Sequence, residues 1–312
     1  MTYTTFNFPG AIPGSKTLLT GIRRKKSNLY ISGFYVPSSD ANTVSFLYKG
    51  LATGTNGGYY LLNYPHAKAT NLYGPNVLDH GRIRVVGNFT TDLDNNTHGC
   101  MYEGHLNGKG KWTRIVPTSN TLNTICHSTM GKLVVGNYDT ILIAGKAFIY
   151  DIKKQHYTDI IIPNAKSVTA YGVWYNGDNR YTICGGYSPI VGSQADVGYI
   201  VDYDRKTKKF SNMINYYYNN DPVNSTVTHF DGITGTKHGY NLTGVAVNSE
   251  SVYGFFASVS RKNICEISLP KWSEVSYPGS DLTTGNSVVD DTVIGIYTVP
   301  DDLTINGYIR KL

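Results

Sequence analysis

The chain has 312 residues, 40% of them hydrophobic, with 28 Lys and Arg against 22 Asp and Glu for a formal net charge of +6. That composition excludes a disordered polyelectrolyte, and the 33 Gly and 26 Tyr favour strands and turns over helices. It also excludes a helical membrane span, because the best apolar stretch, residues 141–150, is short and interrupted by Lys146.

The chain opens with MTYTTFNFP, a short strand pattern ending in proline that has no neighbour in sequence to pair with. It lacks the basic start and apolar centre of a secretory signal. A six-residue phrase centred on glycine then recurs: ISGFYV, VVGNFT, VVGNYD, ICGGYS, VYGFFA and VIGIYT, at Gly33, Gly87, Gly136, Gly185, Gly254 and Gly295. A unit of roughly 40–70 residues that cannot bury its own apolar face alone is the mark of a propeller or solenoid.

Each phrase reads as the second strand of its unit. A small residue ten to thirteen positions earlier marks the first strand, at Gly21, Gly74, Cys126, Gly172, Gly244 and Gly285. A third strand follows (VSFLYK, HGCMYE, KAFIYD, VGYIVD, NICEIS, INGYIR), and a fourth ends in an apolar residue and proline, as in LLNYP or TRIVP. The last unit has only three strands, so the orphan strand at the N-terminus completes it. The expected fold is all-β: a single six-bladed β-propeller with four antiparallel strands per blade, closed by Thr2–Phe8 pairing with Thr304–Lys311. The blades fall at approximately 17–65, 70–117, 122–163, 167–231, 240–278 and 281–312 plus 2–9.

The phrases NFPGAIPGSKTLLTGI (Asn7–Ile22), HFDGITGTKHGYNLTGV (His229–Val245) and SYPGSDLTTGN (Ser276–Asn286), with THGCMYEG and VSFLYKG, resemble the HAF-repeat family. Its units run as P-G-A, T-x-x-G-I-N, I-V-G-x-Y and H-G-F-L-Y; here Arg23 stands where the first unit would carry Asn. The resemblance implies an extracellular bacterial repeat protein, with a cytoplasmic location as the alternative, and it brings no catalytic residues.

Polar or bulky residues of the first strands should line the central channel, which selects Arg23, Asn76, His127, Trp174, Tyr175 and Asn286 as ligand-binding candidates. The stretch 206–224 reads as an insertion into the fourth blade, and its Tyr216, Tyr217 and Tyr218 are candidates for stacking on a sugar or packing on a partner. Asp92, Asp94 and Asn96, with Glu103, have partial calcium-loop spacing, but Thr97 stands where the turn needs glycine, so no metal is expected and calcium is the weak alternative. Cys100, Cys126, Cys184 and Cys265 lie in different units without C-x-x-C spacing and read as buried thiols.

No carboxylate pair, activated nucleophile or cofactor cradle emerges along the inner strands, so no cofactor and no catalytic residue is assigned. The reading is therefore a non-catalytic binding or interaction module, with a glycan or a protein surface as partner and no sequence-specific nucleic acid. The alternative is a hydrolase or lyase with its active site at the channel mouth.

Overall fold

A computed structural model describes residues 2–37, 43–54, 57–94, 96–190, 196–247, 251–262 and 266–312. Six sheets radiate around an axis, each built from four consecutive antiparallel strand positions. The innermost strands are Lys16–Lys25, Ala69–Val77, Thr121–Met130, Ala165–Gly177, Val227–Thr236 and, split in two, Leu282–Thr283 with Ser287–Val289. The outermost are Gly58–Leu61, Gly110–Ile115, His156–Ile160, Lys209–Tyr216, Lys271–Val275 and Thr2–Thr5. We number the blades 1 to 6 from Lys16 and call the face where the inner strands begin the upper face. Among the described residues, no helix is long and apolar enough to cross a membrane.

The ring closes as the orphan strand requires. Thr2–Thr5 pairs antiparallel with Asn306–Lys311, from Thr2 opposite Lys311 to Thr5 opposite Tyr308. Phe6 continues the ladder through its N–H to Gly307 O, and its ring meets Tyr48 of blade 1 edge-on at 4.9 Å. The segment thus completes blade 6 and caps its junction with blade 1, leaving no open seam.

The core lies between blades, not inside one. Six apolar clusters correspond to the six blade junctions; Leu133, Val135 and Ile149 of blade 3, for example, pack on Val173, Ile183 and Tyr199 of blade 4, and Phe6, Leu19 and Ile31 pack on Val289, Ile294 and Ile309 across the closure. Alternating strand residues therefore serve two junctions, one on each face of a blade. The three described cysteines are free and buried; Cys265 lies outside the described residues.

Blade 5 differs from the sequence reading. Its first strand is Val227–Thr236, its second is Gly239–Val247 with Gly244 in the repeat-glycine position, and VYGFFA belongs to the third. The stretch 206–224 is accordingly no insertion: it holds the regular outer strand Lys209–Tyr216 of blade 4 and the turn leading to blade 5. The reading failed because two glycine phrases, LTGVAV at Gly244 and VYGFFA at Gly254, follow one another in neighbouring strands, and the aromatic one is the third strand.

Candidate active site

The repeat glycine acts on the channel through the strand beside it. A Cβ at Gly33, Gly87, Gly136, Gly185, Gly244 or Gly295 would overlap the backbone carbonyl oxygen of Leu18, Asn71, Ile125, Thr169, His229 or Thr284 on the adjoining inner strand. That carbonyl sits over the glycine because the inner strand bulges two residues later. The register skips between Leu19 and Gly21, Leu72 and Pro75, Cys126 and Ser128, Ala170 and Gly172, and Phe230 and Gly232. In blade 6 the same interruption separates Leu282–Thr283 from Ser287–Val289. A bulge leaves its extra residue unpaired and re-aims it. Thr20, Tyr73, His127, Tyr171, Asp231 and Asn286, one from each blade, all line a single cavity of about 470 Å³ at the upper mouth.

Large residues on the third strand hold this arrangement from the other side. Phe46, Phe148, Tyr199, Phe255 and Tyr308 stand directly opposite the repeat glycine of their blades, with Cys100 in blade 2. The hydroxyls of Tyr199 and Tyr308 donate to the displaced carbonyls of Thr169 (2.8 Å) and Thr284 (2.6 Å). A backbone oxygen that the bulge removes from the ladder is thereby satisfied.

Part of the cavity wall is aromatic. Phe34, Tyr73, His127, Tyr171 and His229 form a continuous belt: Tyr73 meets His127 edge-on at 5.2 Å, His127 stacks on Tyr171 at 3.9 Å, and Tyr171 meets His229 edge-on at 4.5 Å. Such a surface suits the apolar face of a sugar ring. Burial pushes the Tyr73 phenol up to about 12. It holds His127 neutral by pushing its imidazole down to about 3, against the opposing pull of its 2.6 Å hydrogen bond to Asn137 Oδ1. The His127 Nδ1 has no partner.

Beside the belt lies a polar chain that crosses from blade 5 to blade 4. Asp231 Oδ1 is 2.8 Å from His229 Nδ1, and His229 Nε2 is 2.7 Å from Thr169 Oγ1. Thr169 Oγ1 donates in turn to Gly186 O at 3.0 Å, so it accepts from Nε2–H, and a single mobile proton is left between Asp231 and Nδ1. Burial pushes the Asp231 carboxyl above its ordinary range, and His229 offsets that only in part. Gly186 permits the ring to lie there, since a Cβ at that position would overlap the imidazole. The arrangement can hold a proton on a carboxyl group beside an apolar wall and exchange it with an imidazole.

The structure divides the residues chosen from sequence. His127 and Asn286 reach the upper cavity. Arg23, Asn76 and Trp174 line a separate cavity of about 490 Å³ on the lower face. Tyr175 lines neither; it is 39% exposed and packs on Tyr181. Tyr216 is buried against Phe230, and Tyr218 packs among Tyr253, Phe255 and Trp272, so these two rings fill the junction between blades 4 and 5. Tyr217 precedes the short turn in the same segment, half-buried.

The residues of the calcium alternative have partners of their own. Asp94 accepts from His98 Nε2 and Asn96 N, and Asp92 faces Lys68. Glu103 is held by Arg82 and Arg84 at the far end of its strand. Among the described residues no cluster of His, Cys, Asp or Glu has the makings of a metal site.

Asp231, His229, Tyr73, Tyr171 and Thr20 were missed from sequence. The usable signal was the residue immediately before the small first-strand glycine, as in Thr20-Gly21, Tyr73-Gly74, Tyr171-Gly172 and Asp231-Gly232. Reading two residues beyond the glycine, as at Arg23, Asn76 and Trp174, selects the lower face instead.

No family model and no curated protein matches the chain in sequence. Among solved structures, it is similar to a Penicillium chrysogenum alpha-L-arabinanase complexed with arabinobiose, at TM-score 0.54 and 11% identity, covering 100% of this chain and 99% of the other. It is also similar to a Trypanosoma rangeli sialidase in complex with sialic acid, at TM-score 0.56 and 5% identity, covering 100% of this chain and 57% of the other. A third likeness is to the alpha-L-arabinofuranosidase Arb93A from Fusarium graminearum, at TM-score 0.49 and 12% identity, covering 99% and 95%. At these identities the likeness establishes the propeller fold. The expectation of a non-catalytic module is nevertheless corrected in favour of its hydrolase alternative: the similar Penicillium chrysogenum protein is named an arabinanase, and the acid–imidazole pair supplies the convergent chemistry whose absence motivated that expectation.

Proposed function

We propose that the protein is a carbohydrate-cleaving hydrolase whose active site is the upper mouth of the propeller channel. The observation that carries this reading is the chain Thr169–His229–Asp231, which brings a carboxyl with a raised pKa into a cavity walled by aromatic rings. A carboxyl kept protonated by burial is a general acid, able to protonate the oxygen of a departing sugar or aglycone as its C–O bond breaks. Water entering at the cavity mouth adds its hydroxyl to the sugar carbon, and the proton it releases restores the Asp231 carboxyl; His229, oriented by Thr169, holds that carboxyl in place through Nδ1. The belt of Phe34, Tyr73, His127 and Tyr171 is the proposed platform for the sugar ring. The names of the structurally similar enzymes support a glycan substrate, and the family resemblance of the repeat supports meeting it outside the cell.

The test is hydrolysis of a panel of pentosides, hexosides and sialosides, each offered both with a nitrophenyl and with a methyl leaving group. Asp231→Asn should lose about 10²–10⁴-fold in rate on the methyl glycosides and far less on the nitrophenyl ones, because a good leaving group does not need the proton. Equal loss on both kinds, or no loss, removes Asp231 from the role of acid. A wild-type protein that cleaves nothing in the panel removes the reading itself.

A further inference from the structure

The lower mouth of the channel is built differently from the upper. Arg23 leaves the inner strand of blade 1 and spans to the opposite blades, donating to Ser128 Oγ of blade 3 (3.4 Å) and to Val173 O of blade 4 (3.3 Å), as well as to its own neighbour Ile22 O (2.9 Å). All three acceptors are neutral. The residue is 7% exposed, its Nε has no partner, and no carboxylate forms a salt bridge with it among the described residues. Arg84, Arg205 and Arg261 are each paired with a carboxylate, Glu103, Asp151 and Asp202 respectively, and Arg310 lies over the Tyr3 ring and donates to Glu274 O. Taking a charge out of water without a counterion costs several kcal/mol, so buried arginines are ordinarily paired.

Arg23 forms part of the wall of the lower cavity, and a second buried group there is also orphaned. Thr234 Oγ1, on a residue 1% exposed, has no hydrogen-bond partner. The rim adds Arg24, Lys25 and Lys26 against Asp79 and Asp290. Arg24 takes Asp290 at 2.7 Å and Lys25 approaches Asp79 at 3.7 Å, which leaves Arg23 and Lys26 as the charges in excess. Asn76 adds an amide and Trp174 a flat apolar wall.

We propose that the lower cavity is an anion site, on the face opposite the candidate active site, that takes a phosphate group, either as free phosphate or as the phosphate ester of a sugar. Arg23 supplies a buried positive charge without a counterion in the cavity wall. Thr234 adds an unpartnered hydroxyl just beneath that wall, and Lys26 screens the outer oxygens. The ester differs from the free ion in having a ring to lay against Trp174. The site is independent of the hydrolytic reading, because it shares no lining residue with the upper cavity.

The experiment is thermal unfolding and titration calorimetry of the full chain at constant ionic strength, with phosphate, a hexose phosphate and the uncharged hexose, in chloride as background. Phosphate should raise the midpoint in proportion to the logarithm of its concentration, and the uncharged sugar should not. Arg23→Met, which keeps the stem and removes the charge, should abolish the phosphate-dependent rise while leaving the protein folded in its absence. Lys26→Met, on the exposed rim, should weaken binding about tenfold. Trp174→Leu should weaken the hexose phosphate and leave free phosphate unchanged if the ester is the ligand; equal effects on both make free phosphate the ligand. A midpoint that phosphate does not move beyond chloride, or that moves equally in wild type, Arg23→Met and Lys26→Met, overturns the proposal.

Discussion

His127 offers a stability test of the channel geometry that needs no knowledge of substrate. Its imidazole is pressed between Tyr73 and Tyr171, donates from Nε2 to Asn137, and is pushed down to about 3 chiefly by burial. The unfolded chain returns it to an ordinary value of about 6.5. Because the folded state favours the neutral ring, the unfolded state binds more protons as pH falls below the ordinary value, and stability is progressively lost down to the folded pKa. At about pH 5 the loss attributable to this residue is the 1.5 units separating that pH from about 6.5, at 1.36 kcal/mol each, or about 2 kcal/mol. His127→Gln abolishes the titration. Urea unfolding of both proteins at about pH 7.5 and about pH 5 measures it: wild type should lose about 2 kcal/mol more than the variant over that interval. The comparison uses slopes, so the packing lost with the ring cancels. Parallel slopes would refute the placement of His127 as a neutral member of the aromatic belt.

Two further predictions concern the repeat itself. Gly185→Ala should cost about 1–3 kcal/mol, since its Cβ would overlap Thr169 O, and should also lower any activity, because that carbonyl belongs to the residue that orients His229; an unchanged denaturation midpoint would show that the bulge is not pinned there. Phe6→Ala should cost about 3–5 kcal/mol, measured by the same denaturation, as the ring is 3% exposed and lies in the junction that closes the propeller. Retention of full stability would mean that the N-terminal segment is not part of the closure.

The propeller and its closure were legible because periodicity is written locally. A glycine phrase recurs with a large third-strand residue behind it, and an orphan strand at one end answers a missing strand at the other. Where two such phrases stood next to each other, at Gly244 and Gly254, the same rule misplaced blade 5 and hid Val227–Thr236, the strand that carries His229 and Asp231. The structure gives the repeat glycines a specific cause: each leaves room for the carbonyl displaced by a bulge.

Number of blades, strand order and the latch between the chain's two ends follow from the sequence alone, because apolar alternation and turn chemistry act between near neighbours and repeat. Which side chains share a cavity was decided only by the tertiary structure. A bulge shifts the pleat by one residue and so exchanges the channel-facing set for its neighbour; that shift sends Asp231 and Tyr171 to the upper mouth while Arg23 and Trp174 line the lower one. Asp231 and Thr169 are 62 positions apart in sequence, and the imidazole that joins them does so across a blade junction, where no local pattern reaches.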